Sequence, residues 1–184
     1  MLKAAELYKT IIDYWRKNKD KIPWEDSDPS WTKWIKDSFY EIGKSKYKVE
    51  RSKSNHCGEG EYLVDLCWWK EQGNDWWLEL ALESEWGQGE DEIDHDFCKL
   101  IDIKAYLKVW VCSYGDKIIE ARKRKMFQNI AGGKIKFPEE QYLVINLPDS
   151  QKAEYKNQLR VFAYEIDYMG KDSLLTPQPD IINR

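Results

Sequence analysis

No run in this sequence approaches the roughly 18 consecutive apolar residues that a membrane-spanning helix needs, so no span is expected. The opening MLKAAELYKT lacks the apolar block of a secretory signal, which points to the cytoplasm. Cysteine is scarce. Cys57, Cys67, Cys98 and Cys112 show no C-x-x-C spacing, and two of them lie inside apolar runs where a thiol behaves as a small hydrophobe, so a disulfide scaffold is not expected. There is no internal repeat or low-complexity segment. Neither charge sign is in large excess: 33 Asp and Glu against 29 Lys and Arg leave a net charge of -4. That balance neither demands nor excludes a nucleic-acid partner, because a local basic patch can dominate a net-negative surface.

Aromatic residues, by contrast, are plentiful. Ten Trp, eleven Tyr and five Phe supply large buried area, which excludes intrinsic disorder despite 34% charged residues. A chain of 184 residues has room for one such core. We therefore expect a single domain over 1–184, with N-terminal helices in 1–45, a sheet core with further helices in 46–166, and a loosely held tail in 167–184.

Residues 3–19 place Leu7, Tyr8, Ile11, Ile12 and Trp15 at helical spacing. A second helix should open at Asp28-Pro29, with Asp28 as its cap, carry the stripe Trp31, Trp34, Ile35, Phe39, Ile42, and stop at Gly43. A short strand, YKVERS, and a polar loop follow. Tyr62–Trp69 and Trp76–Trp86 read as two strands of a hairpin with Glu71-Gln72-Gly73-Asn74 at the turn. Strict alternation puts Trp76, Leu78, Leu80 and Leu82 on one face of the second strand, and Trp77, Glu79, Ala81, Glu83 and Glu85 on the other. An acidic stretch then opens a helix carrying Phe97, Leu100, Ile101 and Ala105. KVWVCS (108–113) reads as a strand buried on both faces, and Asp116 as the cap of a helix running to about Ile130. Tyr142–Leu147 and Leu159–Ile166 complete an α/β domain with a central mixed β-sheet and helices on both faces.

Asp65 lies among Leu63, Val64 and Leu66, in what reads as mid-strand, where an unpaired carboxylate costs several kcal/mol. A hairpin centred near Asn74 sets Asp65 across from Glu83, with Glu85 next on the same face. Adjacent carboxylates repel unless a cation lies between them, and Mg²⁺ suits such a pair because it prefers oxygen ligands and keeps waters for a substrate to displace.

This order of elements, with Val64-Asp65 on one strand and Glu83-Ser84-Glu85 ending the next, resembles the PD-(D/E)xK nuclease superfamily over roughly residues 31–113. The resemblance implies a restriction-endonuclease-like fold. It further implies Mg²⁺ (or Mn²⁺) held by Asp65, Glu83 and the backbone carbonyl of Ser84, with DNA as the substrate. E-x-E replaces the usual (D/E)-x-K, so Glu85 stands where the family has its lysine. Lys99, three residues after Asp96, is the candidate substitute. The family's helical acid maps to Glu41, or one turn earlier to Asp37. The alternative from another class is a catalytically inactive nuclease-fold module for binding or assembly.

A nuclease of net negative charge must gather cations near its acids. Lys44, Lys46, Lys48, Arg51 and Lys53 cluster close in sequence to Glu41 and are favoured as the DNA contact over Arg122–Lys125, which reads more simply as a solvated helix face. Competing readings stand beside these. Asp96 and Lys99 also make an ordinary surface pair, the three acids an ordinary exposed sheet face, and His56-Cys57 with His95 and Cys98 an unevenly spaced zinc set. Trp86, just beyond Glu85, either joins the core or flanks a substrate. A homodimer would suit cutting of both strands, and nothing in the sequence marks an interface.

Overall fold

Side chains repeating every three or four residues build two helices whose apolar stripes need a common surface to cover. In a computed structural model that describes residues 2–24, 27–49, 51–53, 64–87, 89, 91, 93–116, 118–133, 137–148 and 157–184, that surface is one face of a mixed sheet. Helix α1 (Ala4–Lys17) buries Leu7, Tyr8, Ile11, Ile12 and Trp15, and α2 (Asp28–Lys46) buries Trp31, Trp34, Ile35, Phe39 and Ile42. Trp34 meets Trp15 at 4.7 Å and Trp31 at 5.5 Å between ring centroids, and Trp31 meets Trp86 at 5.8 Å. This chain of indoles ties both helices to the sheet.

The strands are β1 (Arg51–Lys53), β2 (Leu66–Gln72), β3 (Asp75–Glu85), β4 (Leu107–Cys112), β5 (Gln141–Asn146), β6 (Gln158–Asp167), β7 (Asp172–Leu174) and β8 (Asp180–Asn183). They pair in the order β1-β2-β3-β4-β5-β6-β7, with β8 added to β6. The pairs β3–β4 and β4–β5 are parallel and the rest antiparallel. Two crossovers serve the parallel pairs. The first is a π-turn (Ile93–Phe97) leading into a short helix α3 (Cys98–Asp102), and the second is α4 (Ile119–Gly132). Leu100 of α3 and Ile119, Met126 and Ile130 of α4 join Trp110 and Tyr142 in a second core, on the face opposite α1 and α2. Strand β4 between them is buried along its whole length, as its apolar run predicts. The architecture is thus α/β, a mixed sheet flanked by helices on both faces.

Several local expectations change. Helix α2 runs past Gly43 to Lys46, because that glycine serves close approach: a Cβ there would lie 2.8 Å from Cε2 of the buried Trp68. The chain turns away just beyond the Tyr47 cap, at Lys48, whose φ of 49° takes the left-handed conformation while Val49 N donates back to the Gly43 carbonyl. Ser27, not Asp28, occupies its N-cap position. Asp116 does not cap α4, which opens after Ile118; its carboxylate meets Arg160 at 3.3 Å. Among the described residues strand β1 comprises Arg51–Lys53, without Tyr47–Val49, and α3 ends at Asp102, before Ala105. The tail beyond Asp167 is held more firmly than its two prolines and weak periodicity suggest, since β7 and β8 both pair with β6.

The hairpin carries the most consequential difference. Its turn is the two-residue Gly73-Asn74, with Gly73 at φ 65°, and its register breaks near Trp68 and Trp69, which oppose Leu80 and Leu78. Glu79 is therefore an extra residue, and alternation along β3 reverses there. Leu78 and Ala81 belong to the core under α3 and α4, while Leu80 and Leu82 belong to the core under α1 and α2. Glu79 turns away from Glu83: it accepts from Leu2 N and Trp77 Nε1, both at 2.8 Å. The expected row of three carboxylates on one face is thus two.

Candidate active site: two carboxylates between two lysines

Asp65 immediately precedes β2, so it sits at the rim of the sheet and not in mid-strand. The register Leu66 to Leu82, continued one step, sets it beside Glu83. Its Oδ2 accepts from Ser84 N at 2.9 Å and Ser84 Oγ at 2.7 Å, which fixes the carboxylate against the end of β3. Lys36 of α2 brings Nζ to 3.9 Å from Asp65 Oδ1, and both side chains are only about one-fifth exposed, at 21% and 22%. The cost of placing Asp65 here is thereby met on three sides.

Glu83 is 8% exposed. Burial, and then repulsion from Asp65, push its carboxyl up from an ordinary 4.5 to about 8, against the opposing pull of Lys99. Lys99 Nζ stands 3.7 Å from Glu83 Oε1 and 2.5 Å from Asp96 Oδ1. Burial alone would lower its pKa, but the bond to Asp96 and the charge of Glu83 outweigh it and hold the ammonium above its usual range. Asp96 in turn is held below its usual range: burial raises it, and the bonds to Lys99 and His95 more than reverse that. The result is a rim site in which α2 and α3, on opposite faces of the sheet, each deliver a lysine to one of two carboxylates.

Glu85 points along the same edge, where its Oε1 accepts from Gly87 N at 2.6 Å. Glu41 lies elsewhere. It shares a hollow of about 670 Å³ with Tyr14, Lys21, Trp34 and Asp37, and five residues of helix separate it from Lys36, about 7.5 Å along the axis and well around it. Asp37 lines that same hollow and pairs with Lys33 at 2.5 Å. A smaller hollow of about 460 Å³ lies between α2 and the end of β3, lined by Asp28, Thr32, Lys36, Ser84, Glu85 and Trp86. Trp86 is a wall of it, buried to 9% with Nε1 donating to Thr32 at 2.8 Å, so it belongs to the core and not to a stacking platform.

Lys46 is exposed at the far end of α2, about 15 Å along the axis from Lys36 at 1.5 Å per residue, and Lys48 is exposed just beyond it. For Arg51 and Lys53 the backbone alone is described, on β1 opposite Trp69 and Cys67, and His56 and Cys57 lie outside the described residues. Arg122–Lys125 do not form one solvated face: Lys123 is 6% exposed, with Nζ 4.1 Å from the Tyr164 ring centroid and 2.9 Å from Glu120. The sequence did not single out Lys36. Its position flanking the buried stripe of α2 placed it near the sheet, but nothing in the sequence says which strand end it meets.

Among the described residues no cluster of three or more His, Cys, Asp or Glu gathers as a metal set. Asp65 and Glu83 remain as a pair able to share a cation. Magnesium needs no more than one or two carboxylates when water and substrate supply the rest, and the repulsion that raises Glu83 is what a dication would relieve. No disulfide joins Cys67, Cys98 and Cys112, and no helix among the described residues is long and apolar enough to cross a membrane. No protein-family model matches the chain, and no curated protein matches it.

Proposed function

We propose that the protein is a metal-dependent nuclease that hydrolyses phosphodiesters of DNA, of the restriction-endonuclease-like type that its sequence resembles. The observation that carries this reading is the meeting of Asp65 and Glu83 at one strand end, each faced by a lysine, Lys36 on one side and Lys99 on the other. Asp65 and Glu83 would hold Mg²⁺ or Mn²⁺, with the Ser84 carbonyl beside them. When bound, the ion would activate water and stabilise negative charge developing on the phosphate.

The chain's own groups divide the remaining work. Ser84 fixes Asp65 in one orientation through two hydrogen bonds, so little reorganisation is needed when substrate arrives. Asp96 holds the Lys99 ammonium charged and aimed at Glu83, where it can meet a phosphate oxygen. Glu85, oriented by the Gly87 amide, would take the proton from the attacking water. Replacing Asp65 with Asn should abolish plasmid degradation in Mg²⁺ and leave the melting temperature of the metal-free protein within a few degrees of the parent. Undiminished cutting by that variant would remove the metal assignment.

A second reading, an inactive binding or assembly module of this fold, is favoured by Glu85 itself. It places a negative charge where the resemblance calls for a lysine, and it is committed to Gly87 N. Thermal denaturation with added Mg²⁺ or Mn²⁺ separates the two: an acid pair that binds the ion stabilises the folded state by mass action, whereas the inactive module shows no shift.

A further inference from the structure

The 460 Å³ hollow between the first half of α2 and the end of β3 is lined by Lys36, Ser84 and Glu85, the immediate neighbours of the acid pair. Lys36 stands at its boundary, one side toward Asp65 and the other toward the hollow. Its ammonium is 3.9 Å from Asp65 Oδ1, close enough for an ion pair and too far for a hydrogen bond, so its donors are not committed by that contact. Lys99 differs. It is clamped at 2.5 Å by Asp96 and borders the other face of the sheet. Lys33 also lines the hollow, but its ammonium is held by Asp37 at 2.5 Å.

Resting on the nuclease reading, we propose that Lys36 is a second phosphate-contacting residue of the site beside Lys99, and that the substrate strand runs through this hollow along α2 instead of over Lys46, Lys48, Arg51 and Lys53. The geometry favours this path for two reasons. A phosphate in the hollow would meet Lys36, which also stands 3.9 Å from Asp65, so one side chain links the hollow to the acid pair. Lys46, about 15 Å farther along α2, and Lys48 beyond it are instead more than two phosphate spacings away. A phosphate oxygen would displace no buried partner from Lys36, because Asp65 keeps both bonds from Ser84 when Nζ swings toward the hollow.

The test is equilibrium binding of a fluorescein-labelled DNA duplex, followed by anisotropy over a salt series in EDTA, where no hydrolysis intervenes. Lys36→Ala should weaken binding several-fold and reduce the slope of log K against log salt by about 1, the loss of one phosphate contact. Lys36→Arg should restore both, and Lys46→Ala should reduce the slope by less. Lys36→Gln and a thermal melt for each variant separate phosphate contact from a structural role, which would lower the melting temperature and leave the slope unmoved. A parent-like slope in Lys36→Ala and Lys36→Gln overturns the inference while leaving a nuclease that fails on Asp65→Asn intact. Absence of both DNA binding and cleavage in the parent removes the nuclease reading and this inference together.

Discussion

Glu83 is the group whose environment is most clearly at odds with its charge, and replacing it by Gln isolates that conflict. Burial and the neighbouring Asp65 raise its carboxyl from 4.5 to about 8. An acid whose folded-state pKa lies above its unfolded value contributes stability below the unfolded value and loses it as pH rises through the folded one. The window is therefore about pH 4.5 to 8. At about 1.4 kcal/mol for each pH unit, the ceiling on the loss across the window is about 4–5 kcal/mol, and a partly accessible rim site with Lys99 nearby should realise a fraction of it. Denaturant unfolding in EDTA at a series of pH values from 5 to 8 should show the parent losing about 1–3 kcal/mol relative to Glu83→Gln over the same range. The Gln amide keeps the shape of the side chain, and Lys99 keeps Asp96, so no new unpaired charge is created. Curves for parent and variant that run parallel with pH would refute the argument, since the loss would then belong to other groups. In excess Mg²⁺ the order should reverse, because the ion would favour the ionised pair that Glu83→Gln no longer offers.

Two further predictions concern α2. Gly43→Ala gains about 1 kcal/mol of helix propensity but forces a methyl to 2.8 Å from the Trp68 indole, an overpacking that costs about 1–3 kcal/mol, so the variant should unfold at lower denaturant. Adding Trp68→Phe should recover part of the Gly43→Ala loss, and strictly additive effects would show that the clash is not the cause. Lys48→Gly relieves a left-handed residue at φ 49° and should stabilise by about 0.5–1 kcal/mol in the same assay, with a destabilised variant counting against a strained cap.

How far the fold was legible depended on whether a signal was periodic or a single residue. The stripes of α1 and α2 and the apolar run of β4 are repeated patterns that tertiary packing has no reason to override, and they stand where the sequence puts them. Gly43 and Asp116 are single residues whose chemistry serves two purposes equally well. A glycine ends helices and admits a neighbouring indole; an aspartate caps helices and pairs with an arginine such as Arg160. The pairing in the tail leaves little trace for a related reason, since edge strands of three or four residues such as β7 and β8 are too short to show alternation and are stabilised by β6.

The pairing of Asp65 with Glu83 was legible through two departures that cancel. The turn is centred between Gly73 and Asn74, half a residue short of the centre expected, and the extra residue at Glu79 shifts the ladder so that Leu66 meets Leu82 after all. That same bulge removes Glu79 from the site, which no reading by strict alternation could foresee. The cations were harder still. A linear motif looks for lysine two residues after the acid, on the strand itself, and finds Glu85. The fold offers lysines from helices that precede and follow the hairpin, Lys36 and Lys99, because the end of a sheet strand is open to both layers. Lys99 left a trace in its i,i+3 spacing from Asp96, whereas Lys36 left only its place beside a buried stripe. Charge compensation at a sheet rim is a property of packed layers, so the acids of such a site can be read from one strand pair while their partners become visible only when the helices are laid on the sheet.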